Sequence, residues 1–187
     1  MAKGSTISVS LFAIKINSLS KVIPKEIHAS MFVDDVQIAY SHRDINQLQS
    51  VLQKTVNNIA NWANNGFTFS TSKTVMMQFY TTRVPLLQPK IYLNNKLIPE
   101  MSTVKFLRLV WYPKLTWIPH IAKLKDKCVK AMNLPRSVTS RAWGSGSEIG
   151  MRLYKVVIRP NMDYGCIVYG AASNATLRTL DEWLMKH

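Results

Sequence analysis

Two adjacent carboxylates, Asp34 and Asp35, stand where two alternating apolar runs meet in Met31-Phe32-Val33-Asp34-Asp35-Val36-Gln37-Ile38-Ala39-Tyr40. Like charges side by side repel, and a bound divalent cation is one thing that offsets the repulsion. The pair therefore points to a Mg²⁺-dependent phosphoryl-transfer site. Asp is also a common turn former whose side chain bonds its own backbone, and on the local pattern alone that plainer role stays open.

The elements that would position the acids can be read on either side of them. Ala29, Met31 and Val33 share one face of an extended segment, and Val36, Ile38 and Tyr40 share one beyond the acids, which predicts a β-hairpin with both acids at its tip. Next comes an amphipathic helix with Ile45, Leu48, Leu52, Ile59 and Trp62 in one stripe. Asp44 suits its N-cap, with Gln47 three residues on, and Asn64-Asn65-Gly66 supplies a left-handed stop. Phe67 and Phe69 open an extended piece, and Val75-Met76-Met77-Gln78-Phe79 reads as a strand. Lys73 falls on the polar loop between them, where a lysine is ordinarily solvated. Upstream, Ile7, Leu11 and Ile14 fit one helical face while β-branched Ile7, Val9 and Ile16 suit a strand, so residues 7–16 are open between the two. Gly4 either lets a backbone approach a ligand or makes a turn.

Beyond Pro85 and Pro89, Ile91 to Ile98 has the turn chemistry of a tight hairpin around Asn94-Asn95, and Lys105 to Tyr112 reads as one strand closed by Pro113. After Thr116 the pattern becomes helical. Trp117, Ile121, Leu124, Cys128 and Ala131 form an apolar stripe, with Lys123, Lys127 and Lys130 on the opposite side. A further helix is predicted from Ser147 to Arg159, with Ile149, Leu153 and Val156 inward and Pro160 ending it. Leu177, Leu180 and Leu184 suggest a last one.

The 187 residues make one domain or two small ones, with 24 Lys and Arg against 10 Asp and Glu and a net charge of +14. No acid occurs between Asp44 and Glu100, and from Met101 to Ser147 the basic residues face only Asp126. Such a field favours a polyanion, nucleic acid before a membrane surface, because the basic residues sit among packed segments. The lysine stripe reads equally as a solvated face or as a contact to backbone phosphate. Cys128 and Cys166 lack neighbours at zinc-ligand spacing and read as reduced core residues. No apolar run is long enough to span a membrane.

Several stretches in order resemble the reverse transcriptase of non-LTR (LINE-type) retrotransposons, most of all the jockey-like group. They are Gly4-Ser5-Thr6-Ile7-Ser8 with Leu11-Phe12; Phe32-Val33-Asp34-Asp35; Gly66-Phe67-Thr68-Phe69-Ser70 with Ser72-Lys73-Thr74; Phe106-Leu107-Arg108-Leu109; Leu115-Thr116-Trp117; and Asp163-Tyr164-Gly165. The resemblance implies an α+β fold: a partial right-hand polymerase palm, an antiparallel sheet with covering helices, over residues 1–115, then an α-helical thumb-like region over 116–187. It implies two-metal nucleotidyl transfer by the complete protein, with Asp34 ligating Mg²⁺ and Asp35 completing the acidic site. Gly4 and Ser5 would lie against template and incoming nucleotide, and Lys73 would protonate the leaving pyrophosphate. Phe106, Leu107, Arg108 and Leu109 would belong to a primer-grip strand, and Lys123, Lys127 and Lys130 would touch the duplex backbone. The implied partners are an RNA template, a DNA primer and the N-terminal part of the polymerase, and action on chromosomal DNA implies a nuclear step.

The chain departs from the family pattern in places. Ala2-Lys3 stands where Pro-Gln is usual, Arg108 replaces a glycine and Tyr112 an acid. A further aspartate, expected on a strand before the glycine block, has no counterpart, since Glu26 is the only carboxylate ahead of Asp34. Two neighbouring carboxylates alone are too few fixed oxygen ligands for two metals, so little polymerisation is expected of this chain by itself. The alternatives are a basic nucleic-acid-binding module without chemistry and a non-functional relic of a mobile element.

Overall fold

The computed structural model describes residues 6–64, 66–81, 88–138 and 147–185. The chain forms two compact units, Met1–Met76 with Arg83–Glu100, and Met77–Thr82 with Met101–His187. Among the described residues no helix is long and apolar enough to cross a membrane.

In the first unit, helix α1 (Thr6–Asn17) resolves the open choice at the N-terminal run and leads into a 3₁₀ turn, Ser18–Lys21. Strands β1 (His28–Phe32) and β2 (Asp35–Ala39) pair antiparallel with Phe32 opposite Asp35, Met31 opposite Val36 and Ala29 opposite Ile38. Alternation puts Met31, Val36 and Ile38 on one face, and they pack on the cluster of Leu19, Ile23, Ile27, Ile59, Trp62 and Ala63.

Helix α2 (Ile45–Ala63) covers that cluster. Asp44 is its N-cap and accepts the Asn46 N–H at 2.9 Å. The Asp44 N–H, which a capping box would give to Gln47, donates instead to His42 Nδ1 at 3.1 Å. At the other end Gly66 carries a φ of 113°, and the Phe67 N–H bonds the Ala63 carbonyl at 2.8 Å. Trp62 Nε1–H donates to Ser18 Oγ at 3.0 Å, so the one polar atom of a buried ring is satisfied.

Strands β3 (Tyr92–Leu93) and β4 (Lys96–Leu97) form the expected tight hairpin, with Asn94 and Asn95 at φ of 50° and 60°. Ile91, Leu93 and Ile98 pack on Val56. The strand expected over residues 75–79 is reduced to one parallel bridge, Met76 with Glu100. The Met76 N–H bonds the Pro99 carbonyl at 2.9 Å, and Pro99, lacking an N–H, ends the ladder on its Thr74 side.

The second unit opens with another hairpin, β5 (Val104–Phe106) and β6 (Leu109–Trp111). It corrects the single strand expected from Lys105 to Tyr112: Leu107 and Arg108 turn the chain back at φ of 46° and 62°. Helix α3 (Ile118–Val138) follows, with Ile121, Leu124 and Cys128 buried together with Trp117, Ile158, Tyr169 and Leu180.

Helix α4 (Ser147–Leu153) passes through a π-helical turn, Tyr154–Ile158, into α5 (Arg159–Asp163). Pro160 does not end the helix as expected. It sits at the start of α5, where its missing N–H costs little, and the wide turn before it spares the ring the usual clash with the previous turn. The extra residue rotates the face, so Val156 points to solvent and Ile158 is fully buried. Helices α6 (Cys166–Tyr169) and α7 (Asn174–Met185) complete the unit. Cys166 is exposed, which corrects its placement in the core, while Cys128 is buried.

The architecture is mixed α+β. In place of one antiparallel sheet, the described residues form three separate two-stranded hairpins.

Candidate functional site

Asp35 is the first residue of β2 and pairs with Phe32, so the two-residue turn consists of Val33 and Asp34. Val33 has a φ of 56°, a backbone state that a β-branched residue adopts only under strain. Asp34 and Asp35 are both exposed. Flanking them is an apolar cleft of about 630 Å³ lined by Val9, Phe12, Ala13, Ile16, Met31 and Val33. On α1, Phe12 stacks edge-on against Phe67, which lies on Trp62, while Ile7, Val9 and Ile14 are about 70% exposed at 68%, 69% and 70%. A helix with apolar residues on more than one side is built to be covered on more than one side.

Two carboxylates do not complete a metal site. Among the described residues no group of three or more His, Cys, Asp or Glu comes together to hold an ion. Asp34 and Asp35 supply oxygen ligands from one hairpin tip only, and a Mg²⁺ or a metal pair needs further fixed oxygens. Gly4 and Ser5 lie outside the described residues.

Lys73 is exposed on the turn after Phe69. There the Lys73 and Thr74 N–H groups both bond the Ser70 carbonyl, at 3.2 and 3.0 Å, and the Ser70 and Ser72 hydroxyls bond each other. Among the described residues no hydrogen bond or ion pair joins Lys73 to Asp34 or Asp35.

In the second unit Phe106 and Leu109 end and begin the two strands, and Leu107-Arg108 is the turn. The left-handed state costs roughly 1–2 kcal/mol for each residue with a Cβ, which is why a glycine suits position 108 and why Arg108 is a departure. The turn forms nonetheless. The Tyr164 hydroxyl donates to the Leu107 carbonyl at 2.9 Å, and the Arg108 guanidinium lies 5.9 Å from the centre of the Tyr164 ring. Gly165, at φ 74°, approaches Leu109 so closely that a Cβ there would stand 2.6 Å from Leu109 Cδ2. Two stretches 57 residues apart in sequence are thereby brought together.

His120, on α3, was not singled out by any sequence signal beyond its place beside Trp117 and Ile121. Its Nδ1 accepts the Val110 N–H at 3.2 Å, its Nε2 has no partner, and it is 6% exposed against Trp117 and Tyr169. Burial holds its pKa below the usual value. Tyr169, whose hydroxyl donates to the Met162 carbonyl, is pushed up to about 12, first by burial and then by Cys166, Asp163 and Cys128. Lys123, Lys127 and Lys130 are all exposed along α3, and among the described residues none of them forms an ion pair.

A model of the reverse transcriptase (RNA-dependent DNA polymerase) family matches residues 1–110, which include the carboxylate hairpin, Lys73 and the Leu107-Arg108 turn. The chain belongs to the reverse transcriptase family. It is 24% identical over 158 residues to a probable RNA-directed DNA polymerase from transposon X-element of Drosophila melanogaster, covering 80% of this chain and 16% of that protein. It is 21% identical over 160 residues to a probable RNA-directed DNA polymerase from transposon BS of the same organism, covering 85% of this chain and 18% of that protein. The chain thus spans less than a fifth of either reverse-transcriptase relative. No solved structure matches it.

Proposed function

We propose that this chain is the palm and thumb portion of a retrotransposon RNA-directed DNA polymerase, residues 1–115 belonging to the palm and 116–187 to a thumb-like region. The observation that carries the reading is the pair Asp34-Asp35 held at the tip of a strained hairpin, within the segment that matches the reverse transcriptase family. Asp34 and Asp35 are the carboxylates this segment contributes to a Mg²⁺ site, and the remaining ligands come from elsewhere in a longer polypeptide. Lys73 serves as the acid for the leaving pyrophosphate, and Gly4 and Ser5 lie against template and nucleotide. The hairpin from Phe106 to Leu109 grips the primer strand, and Lys123, Lys127 and Lys130 hold the duplex backbone.

The rest of the polymerase is the partner of the apolar face made by Ile7, Val9, Ile14 and the cleft beside the hairpin. Covering several exposed β-branched residues there would supply the apolar burial that the unit lacks by itself. An RNA template and a DNA primer are the substrates.

Primer extension tests the proposal. The chain with the upstream polymerase polypeptide supplied is expected to add deoxynucleotides to a DNA primer on an RNA template only with a divalent cation. Extension independent of a divalent cation would reject the assignment. A second reading, duplex binding without chemistry, is favoured by the two-carboxylate count at the hairpin. Binding that persists when extension cannot be restored would select it.

A further inference from the structure

The β5–β6 hairpin closes on residues that do not favour its turn. Leu107 and Arg108 both have positive φ, at 46° and 62°, and neither is Gly, Asn or Asp. The β3–β4 hairpin makes a turn of the same kind from Asn94 and Asn95, residues that enter the left-handed region readily. A left-handed pair with bulky side chains persists where its surroundings over-determine it.

Those surroundings come from the corner between α5 and α6. Tyr164 bonds the Leu107 carbonyl through its hydroxyl at 2.9 Å, and the Arg108 guanidinium lies over its ring at 5.9 Å. Tyr164 is 46% exposed, so water competes for its hydroxyl, and the hydroxyl bonds the turn carbonyl nonetheless. The next residue, Gly165, lets the corner close on Leu109, since any Cβ would fall 2.6 Å from a Leu109 methyl. On the same strand as Leu109, the Val110 N–H bonds His120 Nδ1 at 3.2 Å. Asp163, which precedes Tyr164 in sequence, is paired with Arg159 at 3.3 Å, and among the described residues no carboxylate pairs with Arg108.

We propose that Tyr164 is a positioning residue: its hydroxyl and ring together clamp the Leu107-Arg108 turn and fix the unpaired Arg108 guanidinium at the hairpin tip, where it meets a phosphate of bound nucleic acid. The phosphate role rests on the nucleic-acid reading above. The clamp does not. A hydroxyl bond to a carbonyl and a cation over an aromatic face each restrict the turn, and together they substitute for the residues that the turn would otherwise require. Arg108 is thereby held ready for phosphate rather than swinging on a free hairpin.

Hydrogen exchange on the 187-residue chain tests the clamp without nucleic acid. Tyr164→Phe removes only the hydroxyl and is expected to speed exchange over residues 104–111 about five- to tenfold, while residues 118–133 of α3 stay as they are. In a background carrying Leu107→Asn and Arg108→Gly, whose turn residues suit the left-handed pair, Tyr164→Phe is expected to change exchange less than about twofold. No acceleration, the same acceleration in that background, or equal acceleration in α3 would overturn the clamp.

Fluorescence anisotropy with a short RNA–DNA hybrid tests the phosphate role. Arg108→Ala and Tyr164→Phe are each expected to weaken binding, and the double variant no more than the single Arg108 variant. An unchanged affinity for Arg108→Ala overturns the phosphate role and leaves the exchange result to decide the clamp. Additive losses overturn the coupling between the two residues.

Discussion

Replacing Lys123, Lys127 and Lys130 together by glutamine isolates the basic face of α3. They recur at intervals of four and three residues, so they lie along one side of the helix over about 10 Å at a rise of roughly 1.5 Å per residue. That length covers about three phosphate intervals of one strand at roughly 3.4 Å apiece along the duplex axis. All three are exposed, with no ion pair among the described residues to compete for them. Each phosphate neutralised contributes about 0.9 to the magnitude of the slope of log affinity against log salt, so the triple variant should lose about 2.7 of that slope on B-form DNA. Between about 50 and 200 mM salt, the wild-type chain should therefore weaken roughly 40-fold more than the variant. Anisotropy titrations of both proteins at four salt concentrations measure this directly. A slope that moves by less than about 0.5 would mean that these lysines are only a solvated face.

Three other perturbations follow from the second unit. Gly165→Ala places a Cβ in the left-handed region and against Leu109, which is 7% exposed, so unfolding free energy should fall by roughly 2–5 kcal/mol; a loss below about 0.5 kcal/mol in urea melts would refute the close approach. His120 has a folded pKa below its usual value of 6.5, so the unfolded state binds the proton more readily. The stability of this unit should be full above about pH 6.5 and decline as the pH falls below it, with a flatter profile in His120→Asn; identical profiles would remove His120 as the cause. Cys166 should alkylate in the native state and Cys128, fully buried with its thiol pKa raised by burial, only on unfolding; equal native rates would contradict the packing of α3.

The parts of the fold that could be read from sequence are those whose signals are local. Alternation on both sides of Asp34-Asp35 located the first hairpin, and only its turn is shifted by one residue, because Phe32 pairs with Asp35. Asp44, Trp62 and Gly66 marked the start, face and end of α2, since capping and amphipathic periodicity act within a few residues. Asn94-Asn95 announced its own turn. Leu107-Arg108 did not, because what stabilises that turn is Tyr164, distant in sequence.

The same holds elsewhere. Among the described residues, the strand over 75–79 is held to its neighbour through Met76 alone, and Pro99, whose carbonyl accepts that bond, has no N–H to extend the ladder towards Thr74. Pro160 looked like a helix end but begins α5 after a wide turn, and that turn exposed Val156 and buried Ile158. Of the site, the acids and Lys73 were legible as residues, whereas their company was not. The oxygens needed beside Asp34 and Asp35 are not found among the described residues, and no local pattern could supply them.

On the proposed reading, Asp34 acts in nucleotidyl transfer and not in shaping the hairpin or holding nucleic acid. Asp34→Asn keeps the size of the side chain and removes its charge, so the direct measurement is primer extension together with hybrid-duplex affinity on the same pair of proteins, with the upstream polymerase polypeptide supplied. Extension should fall by at least about a thousandfold, because the carboxylate would hold the metal that stabilises the developing charge, while duplex affinity stays within about twofold. Extension that survives the substitution, or that disappears only in step with duplex affinity, would contradict the account.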